Sequence, residues 1–250
     1  MIHFVGAGPG DKELLTLKGA RLLSQADCII YAGSLVNPEL LDFAKAGCEI
    51  HDSAKLTLEE VVAVMRKFAA RNLMVVRLHT GDPSLYGAIR EQLDLLIQYD
   101  IPYEIVPGVS SFAAAAATLG VEYTLPGVSQ TLILTRMQGR TPVPQNENVK
   151  ELAKIGASMA IFLSADKLER LSVDLIAGGY ANDTPCAIVY KASWPDEITV
   201  KTTLANLADE GNRIGVTKTA LILVGKFLGD DYERSMLYHP EFSHGYRDGK

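Results

Sequence analysis

The polar residues best placed for chemistry in this chain sit in turns, not in a nucleophilic constellation. Asp11 closes the run Gly6-Ala7-Gly8-Pro9-Gly10-Asp11, which follows the apolar stretch Ile2-His3-Phe4-Val5. Asp82 lies in Gly81-Asp82-Pro83 after Met74–Leu78, and Ser110 and Ser111 end Pro107-Gly108-Val109-Ser110-Ser111 after Tyr103–Val106. In an open α/β sheet such turns occupy the carboxyl ends of strands, where small ligands bind. Glycine lets the backbone approach a ligand closely, and proline fixes φ before the ligand arrives. Three such turns in one half of a chain predict a ligand site built largely from main chain. No Ser/His/Asp or Cys/His arrangement accompanies them, so a covalent nucleophile is not indicated.

A dinucleotide fits these turns poorly. The fingerprint Gly-x-Gly-x-x-Gly needs glycine where Asp11 stands, and an acidic residue at the end of the next strand. That strand, Cys28-Ile29-Ile30-Tyr31, runs into Ala32-Gly33-Ser34, and Asp11 would repel a pyrophosphate. A metal has little support either. His3, His51, His79, His239 and His244 are dispersed, and Cys28, Cys48 and Cys186 show no ligand spacing and read as reduced, buried thiols.

The 250 residues are 48% hydrophobic and 22% charged, an ordinary globular composition. Net charge is −6 with the basic residues scattered, which argues against a nucleic-acid partner relying on a broad basic face. The amino terminus enters a strand directly, and no apolar run reaches the ~18 residues of a membrane helix. A cytoplasmic protein is expected.

The elements that must position the turns alternate strand and helix through the first half. Leu14, Leu17, Leu22 and Leu23 fall near helical spacing with Thr16 as a cap, and a second strand ends at Tyr31. Pro38 opens a short helix, and Glu49-Ile50-His51 is a weak strand. Thr57 with Glu60 makes a capping box for a helix carrying Val61, Val62, Met65 and Phe68. A strand from Met74 to Thr80, a helix from Tyr86 to Tyr99, a strand from Tyr103 to Val106 and an alanine-rich helix follow. Repeated units of this length predict a parallel sheet.

Near Gly120 the texture changes. Strands at Gln130–Arg136, Met159–Leu163, Cys186–Lys191, Ile198–Thr202 and Ala220–Val224 alternate with helices at Asn148–Ile155, Lys167–Ala177 and Leu204–Glu210. The pair flanking Pro195-Asp196 reads as an antiparallel hairpin, so this sheet is mixed. Two domains are expected, 1–119 and 120–250. The polar tail from Gly229 reads as loosely ordered.

The three turns together resemble the signatures of the tetrapyrrole methylases: Gly6–Asp11 with Leu14-Leu15-Thr16, Arg77-Leu78-His79-Thr80-Gly81-Asp82-Pro83, and Val106–Ser111. Tyr31–Leu40, Thr135–Pro142 and Val189–Asp196 narrow the likeness to the branch acting on a corrin precursor. This resemblance implies an α/β, two-domain, tetrapyrrole-methylase-like fold, with a largely parallel N-terminal sheet, a mixed C-terminal sheet and a ligand cleft between them. It also implies a homodimer and S-adenosylmethionine (SAM) as methyl donor, with S-adenosylhomocysteine as product.

Carried over by position, Pro9, Thr80, Gly81, Asp82 and Leu85 would hold the methionine and ribose end. Ser110 and Ser111 would add polar contacts, while Leu163, Ala192 and Thr219 would wall the adenine. Such a ligand lacks phosphate, so Asp11 and Asp82 are tolerable beside it. A tetrapyrrole bearing many carboxylates calls for cations, for which Arg136, Arg140 and Lys191 are the candidates. His79 could act as a base or be a satisfied core histidine, and Met137–Asn146 could be a lid or a surface loop. Open alternatives are a methylase of another ring position or of a diphthamide precursor, a nicotinamide-dependent oxidoreductase, and a non-catalytic tetrapyrrole carrier.

Overall fold

The structure, a computed structural model, describes residues 1–33 and 35–249. Ser34, within the stretch Tyr31–Leu40, and Lys250, at the end of the expected second domain, lie outside the described residues. The chain forms two compact units, Met1–Ala114 with Lys191–Asp196, and Ala115–Tyr190 with Glu197–Lys250.

In the first unit, β1 (Ile2–Gly6), β2 (Cys28–Tyr31), β3 (Glu49–Asp52), β4 (Val75–His79) and β5 (Tyr103–Val106) make a sheet of order β3-β2-β4-β1-β5. Every pairing is parallel. The central strands β1 and β4 are buried throughout because helices cover both faces. Val5, Ile29, Val76 and Leu78 pack with Leu22 and Leu23 of α1 (Leu17–Gln25). Ile2, Phe4, Ile30 and Val75 pack on the other face with Val61, Met65 and Phe68 of α2 (Leu58–Ala69) and Leu96 of α3 (Arg90–Gln98). The expected caps are present: Thr16 accepts from the Gly19 N–H, and Thr57 and Glu60 form a reciprocal capping box.

Strands β1 and β4 are neighbours, yet the chain leaves β1 across one face toward β2 and leaves β4 across the other toward β5. Their carboxyl ends therefore form a topological switch point, where divergent connections open a crevice above the sheet. The helix after β4 starts at Arg90, four residues later than the periodicity predicts. Tyr86 and Ala88 hold left-handed φ values of 56° and 48°, and a side chain at Gly87 would overlap the Pro83 carbonyl. Neither residue can lie in a right-handed helix in that conformation.

In the second unit, β6 (Leu132–Arg136), β7 (Ser158–Phe162), β8 (Pro185–Tyr190), β9 (Ile198–Thr203) and β10 (Ala220–Val224) form a mixed sheet of order β6-β7-β10-β8-β9. Strands β6 and β7 are parallel and the remaining pairs antiparallel, including the β8/β9 hairpin. Val149 and Ala153 of α5 (Val149–Ala153), Leu168, Leu171 and Leu175 of α6 (Leu168–Ala177) and Leu207 of α7 (Leu207–Arg213) close over Met159, Ile161, Ile188, Ile222 and Val224. The helix α4 (Ser111–Leu119) contains the division between the two units. The tail holds together around Arg247, whose Nη2 donates to the carbonyls of Leu237 and His239 at 2.8 and 2.9 Å.

Candidate functional site

The three turns read from the sequence converge at the switch point of the first sheet and are joined to one another. The Gly81 N–H donates to the Gly8 carbonyl at 2.8 Å, the Gly8 N–H returns to Gly81 at 3.3 Å, and the Ala7 N–H reaches the His79 carbonyl at 2.6 Å. A Cβ added to Gly6 would lie 2.5 Å from Gly108 Cα and 2.6 Å from the Gly81 oxygen. Real atoms cannot approach so closely, so glycine at 6 and 108 is required by the contact between turns. Only Gly8 and Gly81 also need glycine for conformation, at φ 77° and 60°.

Asp82 fastens this assembly. One carboxylate oxygen accepts from the Ser84 N–H at 2.8 Å and from the Ser84 hydroxyl; the other accepts from the Gly108 N–H at 2.9 Å. Burial pushes its pKa up, but the hydrogen bonds from Ser84 and Gly108 outweigh it and hold the carboxyl below its ordinary value. The oxygen that accepts from Gly108 keeps a free acceptor direction for a ligand N–H or O–H. Leu85 follows through a turn onto the Asp82 carbonyl at 3.2 Å. Gly81 lies beside Ser110 and Ser111, where α4 begins, so the positive end of that helix dipole borders the crevice. Thr80 is exposed and Pro9 buried.

The segment Lys191–Asp196 belongs to this unit and grips the first turn. The Trp194 indole N–H donates to the Pro9 carbonyl at 2.8 Å, and the Asp11 N–H donates to the Ser193 hydroxyl at 3.0 Å. Asn37 Nδ2 donates to the Gly10 carbonyl at 2.8 Å. Ala192 is buried in the same segment, flanked by Lys191 and Ser193 at φ 49° and 68°. No local pattern in the sequence marks Trp194 or Asn37 for this role. Their contacts span 185 and 27 residues, and the one available signal was that Trp194 is the only tryptophan in the chain.

In the second unit, Leu163 directly follows β7 and Thr219 directly precedes its antiparallel neighbour β10, so both lie at one end of that sheet. Both adopt left-handed backbone, φ 51° and 57°, which is costly for a branched side chain and collects at ligand sites. Leu163 is also 62% exposed. At the same end, Arg136 is committed to bracing the loop after β6: its guanidinium donates to the carbonyls of Met137, Thr141 and Pro142 at 3.2, 3.3 and 2.8 Å. Arg140 is exposed, with no partner among the described residues. Lys191, in the first unit, pairs with Asp196 and lies 5.3 Å over the Trp194 ring.

His79 is a core histidine, but not the satisfied one that the sequence leads one to expect. It is buried, stacks on Phe4 at 6.0 Å, and its Nε2 has no hydrogen-bond partner among the described residues. Burial, reinforced by the Arg77 charge, lowers its pKa to about 3, so the ring stays neutral near neutral pH. Arg77 is itself buried; it donates to Gln92 Oε1 at 3.2 Å and to the Ile30 carbonyl at 3.3 Å, and burial lowers its pKa to about 10. Gln92 also donates to the Ala88 carbonyl at 3.2 Å, linking Arg77 to the left-handed turn before α3. Among the described residues no group of three or more His, Cys, Asp or Glu side chains could hold a metal ion, and no helix is long and apolar enough to cross a membrane.

A switch-point crevice floored by three joined turns is a ligand platform, and the family model for tetrapyrrole (corrin/porphyrin) methylases matches residues 1–208. The chain belongs to the tetrapyrrole methylases. Within that family it is 53% identical over 98% of its length to a cobalt-precorrin-4 C(11)-methyltransferase of Methanocaldococcus jannaschii, covering 95% of that protein. It is 46% identical over its full length to a precorrin-4 C(11)-methyltransferase of Pseudomonas aeruginosa, covering 99% of that protein. A crystal structure of a cobalt precorrin-4 methyltransferase of cobalamin biosynthesis matches with TM-score 0.90 and 46% identity, over 92% of this chain and 96% of that one. A uroporphyrin-III C-methyltransferase of Thermus thermophilus, solved with S-adenosylhomocysteine, matches with TM-score 0.76 and 28% identity, over 91% and 92% of the two chains.

Proposed function

We propose that the protein transfers a methyl group from SAM to carbon 11 of precorrin-4 or of its cobalt complex, a step in building the corrin ring. The observation that carries this reading is the full-length likeness to C(11)-methyltransferases, at identities well above that to the uroporphyrin-III enzyme. The first-unit platform fits the donor. It offers the positive end of the α4 dipole for a carboxylate, and Asp82 for a hydroxyl or ammonium; the Asp82 charge would repel a pyrophosphate. Pro9, Thr80, Gly81, Asp82, Leu85, Ser110, Ser111 and Ala192 are proposed to hold SAM, and Leu163 and Thr219 to contact its adenine.

Bound SAM supplies an already activated methyl group, so no side chain need become a nucleophile. What the residues contribute is alignment of the accepting carbon with the methyl and exclusion of water. The welded turns suit that task because their geometry is fixed before any ligand arrives. Arg140 and Lys191 are proposed to meet substrate carboxylates, Lys191 by exchanging its Asp196 partner. Arg136 is proposed to act through the loop it braces, with its outer edge available to a carboxylate. A homodimer in the cytoplasm, acting on a small-molecule tetrapyrrole and not on nucleic acid or membrane, completes the proposal.

Incubation with SAM and precorrin-4, in parallel with its cobalt complex, tests the reading by quantifying S-adenosylhomocysteine. Release of one equivalent per methylated ring is expected with at least one of the two. Tight binding of both donor and ring without turnover would indicate a carrier. Calorimetric binding of NADH in preference to S-adenosylhomocysteine would indicate an oxidoreductase.

A further inference from the structure

We propose that Trp194 is a positioning residue for the donor-binding turn, setting the Pro9–Gly10 peptide without touching the reacting atoms; this rests on the reading that the turn holds SAM. Three observations converge on it. The indole N–H holds the Pro9 carbonyl at 2.8 Å, so the plane of that peptide is tied to the ring. A Cβ at Gly10 would overlap Trp194 Cδ1 and lie 2.7 Å from Cγ, so the ring lies flush against the turn with no room for any other residue there. Beside it, the Asp11 N–H to Ser193 hydroxyl bond fixes the following peptide. Three successive turn residues are thus oriented by one short segment from the far end of the chain.

The segment is itself over-determined, as a positioning device must be. The Trp194 N–H closes a turn onto the Lys191 carbonyl at 2.9 Å. Lys191 and Ser193 hold left-handed backbone, a costly conformation that persists only when the surroundings fix it. The Lys191 ammonium is held by Asp196 and lies over the indole face. Trp194 is only half-buried, and its Cδ1–Nε1 edge lies against Gly10. Any ligand seated on Pro9 and Gly10 will change that edge's surroundings.

Because Trp194 is the only tryptophan, the wild-type protein tests the idea directly. Titration with S-adenosylhomocysteine is expected to shift its fluorescence and reduce acrylamide quenching, with the same midpoint as the calorimetric Kd. Trp194→Phe keeps most of the bulk and removes the N–H; its Kd for S-adenosylhomocysteine should rise about three- to tenfold, the worth of one hydrogen bond. KM for SAM should rise in step, while kcat at saturating SAM stays near wild type. Gly10→Ala should weaken binding at least as much. Combined with Trp194→Leu, it should add little to the effect of Trp194→Leu alone, because both act through one contact.

Unchanged fluorescence and quenching at saturating S-adenosylhomocysteine would overturn the proposal. So would a Trp194→Phe protein that melts lower yet binds as wild type, the signature of a merely structural ring. Should the wild type show no calorimetric binding at all, the functional reading itself fails; binding that ignores position 194 defeats only the positioning role.

Discussion

Asp82 satisfies protein donors with both oxygens, which makes it a brace between two turns as well as a ligand contact. Replacement by Ala leaves the Gly108 and Ser84 N–H groups unpaired and should cost about 1–3 kcal/mol of stability, read by urea unfolding, together with most of the affinity for S-adenosylhomocysteine. Asp82→Asn keeps one acceptor oxygen and should lie between wild type and Ala. His79 makes a separate prediction. Its folded-state pKa of about 3 is below its unfolded value near 6.5, so the unfolded chain binds the extra proton between those values. Stability attributable to this group is therefore complete above pH 6.5 and declines as pH falls toward 3, by about 1.4 kcal/mol per unit. Thermal melts from pH 7 to pH 4 should show a shallower decline for His79→Phe than for wild type; an identical slope would contradict the assignment.

At the scale of elements, the platform depends on turns meeting backbone to backbone. Gly108→Ala should force the turns after β4 and β5 apart, lowering stability by about 1–3 kcal/mol and abolishing detectable S-adenosylhomocysteine binding by calorimetry. The left-handed residues of the second sheet should behave in the opposite sense. Leu163→Gly relieves backbone strain of about 1 kcal/mol, so Tm should rise while affinity for S-adenosylhomocysteine falls. Those opposed signs would mark a residue kept for binding. The turns were legible in the sequence because their requirements, absence of a Cβ and fixed φ, are written in residue type, and the capping box at Thr57 and Glu60 for the same reason. The delayed start of α3 was not, because nothing in Tyr86 or Ala88 as residue types announces left-handed backbone. Glycine in the turns was read as room for a ligand; at Gly6 and Gly108 the room is taken by the neighbouring turn. The commitment of Arg136 to loop carbonyls and the grip of Trp194 on Pro9 arise from folding and carry no local pattern.

For the whole molecule, the acidic overall charge sits easily with an anionic substrate only if cations are local, and Arg140 and Lys191 are the two proposed for it. Replacing both with Ala should raise KM for the tetrapyrrole while leaving the calorimetric affinity for S-adenosylhomocysteine within error. A matching loss of both would place these residues in the donor site instead. Donor binding should itself stabilise the fold: at ligand one hundred times its Kd, linkage gives about 2.7 kcal/mol, visible as a concentration-dependent rise in Tm. The central claim is that a donor seated on these turns methylates one ring carbon, and product structure tests it most directly. With SAM carrying a carbon-13 methyl group and precorrin-4 or its cobalt complex as acceptor, nuclear magnetic resonance of the product should show a single labelled methyl attached to carbon 11. Label on another ring position, or on no ring carbon at all while the donor remains bound, would contradict it.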